Sequence, residues 1–198
     1  KTQLVRRLAD LLGAGHGDVA VRPSWRYPTD LFGYYNAMSK IFEPTPFLYL
    51  LAKAKKYAEA NRLYLLCLDE MNLSRVENYA ADLLSRYERI ATGDSSQAYL
   101  DLYSKDVANR LQKEEQALYR TSSELTPRQQ ARKEILTRQL KDYPARLDFP
   151  RSLLLFGTVN VDETTHLFSP KFLDRAYVLR FPPVDLKTPW RNSIDTAT

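Results

Sequence analysis

Cysteine is nearly missing from this sequence. Cys67 is the single thiol in 198 residues, which excludes an intrachain disulfide framework and any Cys/His pattern of zinc spacing. Histidine is almost as scarce: His16 sits in a glycine-rich stretch that reads as a loop, and His166 has no second ligand at metal-binding spacing. Long apolar runs are absent too, since none nears the roughly 20 residues that a membrane-spanning helix needs. Lys1 opens into an amphipathic pattern with neither an initiator Met nor a basic-then-apolar leader, which predicts a piece of a longer cytoplasmic protein. Nor does charge of one sign dominate. A net charge of +5 permits an anionic partner such as nucleic acid without requiring one.

What is present suffices for one domain with a sizeable core, since 44% of the residues are hydrophobic. Leu4, Val5, Leu8, Leu11 and Leu12 share one helical face, and Gly13 to Gly17 ends that helix in a loop. Val19-Ala-Val-Arg22 predicts a short strand stopped by Pro23, and Trp25 to Phe47, rich in aromatics, predicts a long ordered loop. Thr45-Pro46 reads as an N-cap with Pro at the first helical position, opening a helix to about Ala60. Leu63-Tyr-Leu-Leu-Cys-Leu68 is an unbroken apolar run, the pattern of a parallel strand covered on both faces, with Cys67 a buried, inert thiol. A helix follows from Ser74 to about Ile90. Residues 91–146 turn polar and charged and predict a helical insertion, with a helix start at Thr126-Pro127. Leu153 to Phe156 predicts a second buried strand, and Tyr177-Val-Leu-Arg-Phe181 a third. Strands alternating with helices predict an α/β fold on a parallel sheet.

Two of these strands deliver polar residues at their carboxyl ends, where open α/β sheets bind ligands. Asp69, Glu70 and Asn160 are therefore predicted to share a site. An Asp directly after an apolar strand can hold Mg²⁺, and the adjacent Glu can polarise an attacking water, although an Asp-Glu pair alone also suits an ordinary strand end. Asn160 supplies a neutral amide that hydrogen-bonds without adding charge.

Leu63 to Asn72 resembles the Walker B segment of AAA+ NTPases, and Asp-Glu-x-Asn leading into the helix that follows is similar to McrB-like and MoxR-like members. Leu153 to Phe181 resembles the sensor 1 region, with Gly157-Thr-Val-Asn160 in the place of Gly-Thr-x-Asn. Ser169-Pro-Lys-Phe-Leu-Asp-Arg175 resembles the short helix that ends in an arginine finger. The resemblance implies a three-layer P-loop NTPase core over 1–183, with the insertion at about 91–146 between Walker B and sensor 1. Residues 184–198 would lead toward a helical lid. It implies that Asp69 and Thr2 hold Mg²⁺, that Lys1 binds the β and γ phosphates of ATP or GTP, and that Glu70, Asn160 and Arg175 are catalytic, with Arg180 the second candidate for the finger. Lys1-Thr2 would be the end of a Walker A loop whose glycines and preceding strand lie upstream.

The segment Val21 to Asn36, with Asp30-Leu-Phe-Gly-Tyr34, is similar to McrB-type restriction ATPases, and this implies a ring of like subunits, a McrC-like nuclease partner and movement on DNA. Val159-Asn-Val-Asp-Glu-Thr164 departs from that group's usual run, which leaves ATP against GTP open. Trp25, Tyr34 and Tyr35 suit either gripping a partner or packing. In the insertion Arg128, Arg132, Lys133, Arg138 and Lys141 are interleaved with Glu114, Glu115, Glu124 and Glu134, which reads as a solvated helical arm rather than a DNA clamp. The alternatives are a MoxR-like or midasin-like remodelling ATPase and a degenerate assembly scaffold.

Overall fold

Unbroken apolar character from Tyr64 to Leu68 buries every one of those residues and makes β4 (Tyr64–Asp69) the central strand of a three-stranded parallel sheet. The computed structural model describes residues 2–93, 99–121, 124–160, 165–174 and 176–181. It divides into two compact units, Lys1–Phe168 and Ser169–Thr198. In the first unit β1 (Gly15–Ala20) and β7 (Leu153–Gly157) flank β4 in parallel register, His16 opposite Leu65 and Leu154 opposite Leu65 on the other side.

Helices cover both faces of this sheet. Side chains alternate along β4, and α1 (Thr2–Leu12) sets Val5 and Ala9 against Leu65 and Cys67. The opposite face carries Tyr64, whose ring meets Tyr57 of α3 (Pro46–Glu59) edge-on at 5.2 Å. Thr45 caps α3 as expected, its hydroxyl accepting the Leu48 N–H at 3.2 Å. Here the sequence expectation for β1 needs correction. The strand begins at Gly15, so His16 lies in a strand and not in a loop. The glycines are there for packing: a Cβ on Gly15 would stand 2.6 Å from the Tyr57 and Tyr64 rings, and one on Gly17 would stand 2.7 Å from Leu50.

After β4 the chain makes a 3-10 turn (Met71–Leu73), α4 (Val76–Tyr79) and α5 (Ala81–Ala91), so the single helix expected there is broken at Ala80. Trp25 to Phe47 is likewise more regular than a loop. It contains α2 (Pro28–Phe32) and a hairpin of β2 (Gly33–Asn36) with β3 (Ile41–Pro44). Trp25 is buried and meets Tyr79 at 5.2 Å, Tyr35 stacks toward Tyr103 at 6.0 Å, and Tyr34 stays exposed.

The insertion holds β5 (Tyr99–Asp101), α6 (Lys105–Arg120), α7 (Pro127–Asp142) and β6 (Arg146–Asp148), with β5 and β6 antiparallel. It is not a free arm. Leu111, Leu136, Tyr143 and Leu147 are buried, and Phe42 of the β2-β3 hairpin packs between the Tyr103 and Tyr143 rings. The Gln139 side-chain oxygen accepts the Phe42 N–H at 3.1 Å, and Arg132 ties Glu114 at 2.8 Å to the Lys40 carbonyl at 3.1 Å. An amphipathic helix pair buries its apolar stripe wherever a matching surface exists, and the hairpin provides it.

In the second unit Ser169 caps α8 (Pro170–Leu173), its hydroxyl accepting the Phe172 N–H at 3.3 Å. Residues 177–181, expected as a third strand, are not one. A strand needs a hydrogen-bonding neighbour, and none lies among the described residues of this unit. Residues 184–198 lie outside the described residues. Among the described residues no helix is long and apolar enough to cross a membrane.

Candidate functional site

Parallel strands end on the same edge, so β4 and β7 place Asp69, Glu70, Thr158 and Asn160 together. α1 starts at this edge as well, because it leads down into β1. Thr2 Oγ1 donates to Asp69 Oδ1 at 2.7 Å across 67 residues of sequence. The ladder closes tightly around the acidic pair: Thr158 N–H donates to the Leu68 carbonyl at 3.0 Å, and Met71 N–H to the Thr158 carbonyl at 2.9 Å.

Thr158, which the sequence reading left without a role, joins the two carboxylate residues. Its buried hydroxyl donates to Asp69 Oδ1 and accepts the Glu70 N–H at 2.9 Å. Burial pushes the Asp69 carboxyl up, hydrogen bonds from Thr158, Thr2 and the Glu70 backbone pull it down, and the carboxyl lies below its ordinary value. Asp69 is thus kept ionised, half-buried, with hard oxygens of the kind that Mg²⁺ takes.

Glu70 stands at φ 53°, ψ 44°, the left-handed region that non-glycine residues seldom enter. Such strain concentrates at functional sites and persists because the surroundings impose it. Here the Leu73 N–H donates to the Glu70 carbonyl at 3.0 Å while Thr158 holds its N–H. Asn160 Nδ2 donates to Glu70 Oε1 at 3.2 Å, and both side chains are exposed, so the pair is open to a ligand and to water.

Asn72 is the second residue whose work was not foreseen. It is 2% exposed, and its Nδ2 donates to the Asn160 carbonyl at 2.7 Å while its own carbonyl accepts the His166 N–H at 2.9 Å. Its Oδ1 is buried and has no partner among the described residues. Asn72 therefore staples the segment after β7 to the turn after β4. Gly157 serves the same closure, since a Cβ there would collide with the Met71 sulfur. Both signals stood in the sequence as the Asn of Asp-Glu-x-Asn and the Gly-Thr of Gly-Thr-x-Asn, but their partners lie far off in the chain, 88 residues away for the Asn72–Asn160 and Thr158–Glu70 contacts.

Of the residues singled out from sequence, Thr2, Asp69, Glu70 and Asn160 come together in one cluster. Lys1 and Arg175 lie outside the described residues. Arg180 is described, within the second unit, in no regular element. Among the described residues there is no group of three or more His, Cys, Asp or Glu side chains that would cage a metal by themselves. A cation here would be held by Asp69 and Thr2 together with oxygens of a ligand. Comparison with family models, with curated proteins and with solved structures gives no match for this chain.

Proposed function

We propose that this chain is the catalytic core of an AAA+ nucleoside-triphosphate hydrolase of the McrB-like restriction type, using ATP or GTP with Mg²⁺. The observation that carries the reading is the Thr2–Asp69 hydrogen bond of 2.7 Å, set beside Glu70 and its Asn160 partner at one sheet edge. A helix-start threonine and a strand-end aspartate converge this way where a phosphate-bound cation is shared between a P-loop and a Walker B strand.

In this reading Asp69 and Thr2 hold the Mg²⁺, which when bound neutralises charge on the phosphate oxygens. Thr158 keeps Asp69 ionised and fixes the Glu70 backbone. Glu70 orients the attacking water and accepts its proton, and Asn160 fixes the carboxylate while offering a neutral donor to the water or the terminal phosphate. Lys1 binds the β and γ phosphates, and Arg175 reaches the nucleotide of a neighbouring subunit, so that hydrolysis needs a ring. Turnover then drives movement on DNA and triggers a McrC-like nuclease.

The test is ATP and GTP turnover by the full-length protein, with and without duplex DNA, against Glu70→Gln and Arg175→Ala. Loss of the general base is expected to slow turnover by about 10²-fold or more. Turnover lost in both variants and raised by DNA supports the reading. Turnover indifferent to DNA favours a remodelling ATPase, and a wild type without turnover removes the hydrolase reading altogether.

A further inference from the structure

Away from the sheet edge, α7, the end of α6 and Lys56 of α3 enclose an open groove of about 460 Å³. It shares no residue with the Asp69, Glu70 and Asn160 cluster. Four cations line it, Lys56, Lys133, Arg138 and Lys141, against two carboxylates, Glu134 and Asp142. Glu134, Arg138 and Lys141 recur every three or four residues, so α7 presents one acidic and two basic groups along one side.

The carboxylates do not cancel the cations. Asp142 stands 3.5 Å from Lys56 Nζ and 3.9 Å from Arg138 Nε, but those two side chains are 63% and 70% exposed. Pairs so solvated are weak and leave donors facing outward. The groove also has an aromatic wall. Tyr119 is 58% exposed, and its ring is held by Lys133, whose ammonium lies 3.7 Å from the ring centroid. The Tyr119 hydroxyl lies 3.4 Å from that of Thr137, which itself donates to Glu115 at 2.7 Å. The ring is therefore positioned before any ligand arrives.

Four lining cations, in excess over two carboxylates, beside a preset exposed aromatic ring suit an unpaired strand, with phosphates on the cations and a base against the ring. We infer that this groove binds single-stranded nucleic acid, about one or two nucleotides seated within it, as the volume allows. The inference goes beyond the proposed hydrolase, because binding here uses no nucleoside triphosphate and no residue of that site.

The measurement is fluorescence anisotropy of a labelled oligothymidylate of about 12 nucleotides, without nucleotide, across a salt series. Binding is expected to weaken steeply with salt. The Arg138→Glu, Lys141→Glu pair should weaken it at least about tenfold, whereas two equal charge changes outside the groove, at Lys105 and Lys113 of α6, should do far less. Tyr119→Ala should weaken oligothymidylate about fivefold or more and inorganic polyphosphate much less, since polyphosphate has no base to stack. Far-UV circular dichroism checks that each variant is folded. No binding by the wild type, equal losses in groove and control variants, or equal losses of oligothymidylate and polyphosphate in Tyr119→Ala each overturn the inference. Because binding is read without turnover, a failed hydrolase test leaves it standing, and the reverse also holds.

Discussion

Thr158→Val is the sharpest test of the site's construction. Valine matches threonine in shape, so the change removes one hydroxyl and leaves no cavity. That hydroxyl donates to Asp69 Oδ1 and accepts the Glu70 N–H at 2.9 Å. A hydrogen bond to a charged group contributes about 1.5–3 kcal/mol and a neutral one about 1 kcal/mol. Asp69 is only half-buried, so a total near the lower end, about 2–3 kcal/mol, is expected. For a chain of this length that corresponds to a melting temperature lower by about 5–10 °C. Thr158→Ser keeps the hydroxyl and loses one methyl, at a cost of about 1 kcal/mol. The difference between Val and Thr also depends on pH with a defined sign. The Asp69 carboxyl is held below its ordinary value, so its contribution is full above about pH 3.9 and is lost as pH falls through the folded value. Thermal melts at pH 7 and at descending pH should show the Thr158→Val gap narrow in acid. A Val variant melting within about 1 °C of wild type, or a Ser variant as damaged as Val, refutes the account of Thr158.

Two further outcomes follow from buried groups. Asn72→Ala should cost about 1–3 kcal/mol in urea unfolding, because the Asn160 carbonyl loses its donor; Asn72→Asp should cost more, since it sets a carboxylate against that carbonyl, and an Asp variant equal to wild type would sink the stapling role. Burial pushes the Cys67 thiol up to about 11, so iodoacetamide at pH 8 should label the protein only once urea unfolds it. The same shift, from an unfolded value of about 8.5, adds stability that is full below that pH and fades as pH rises toward about 11.

The central strand and its acidic end were readable because a parallel strand buried on both faces must be written as a continuous apolar run. The Thr45 cap was readable because capping is a local contact between near neighbours in the chain. β1 was missed at Gly15 to Gly17 because those glycines answer to Tyr57 and Leu50, rings and methyls distant in sequence, and not to any turn. Thr158 and Asn72 were quoted within motifs yet given no task, since their partners are 88 or more residues away. The three-residue strands β5 and β6 are too short to show a period at all. The insertion's charge pattern suggested a solvated arm because its buried stripe is narrow, chiefly Leu111, Leu136 and Gln139.

The Gln139–Phe42 bond has a consequence in time as well as in space. Its two ends are 97 residues apart, so at a synthesis rate of about 5–20 residues per second the β2-β3 hairpin waits roughly 5–20 s for its cover. During that interval Phe42, destined to be 2% exposed, faces the cell or a chaperone. Closing so long a loop is slow to offset its entropy. The hairpin therefore stays uncovered until α7 emerges, ahead of β7 and the site segment that follows it, and it is a part at risk when synthesis is interrupted in that interval.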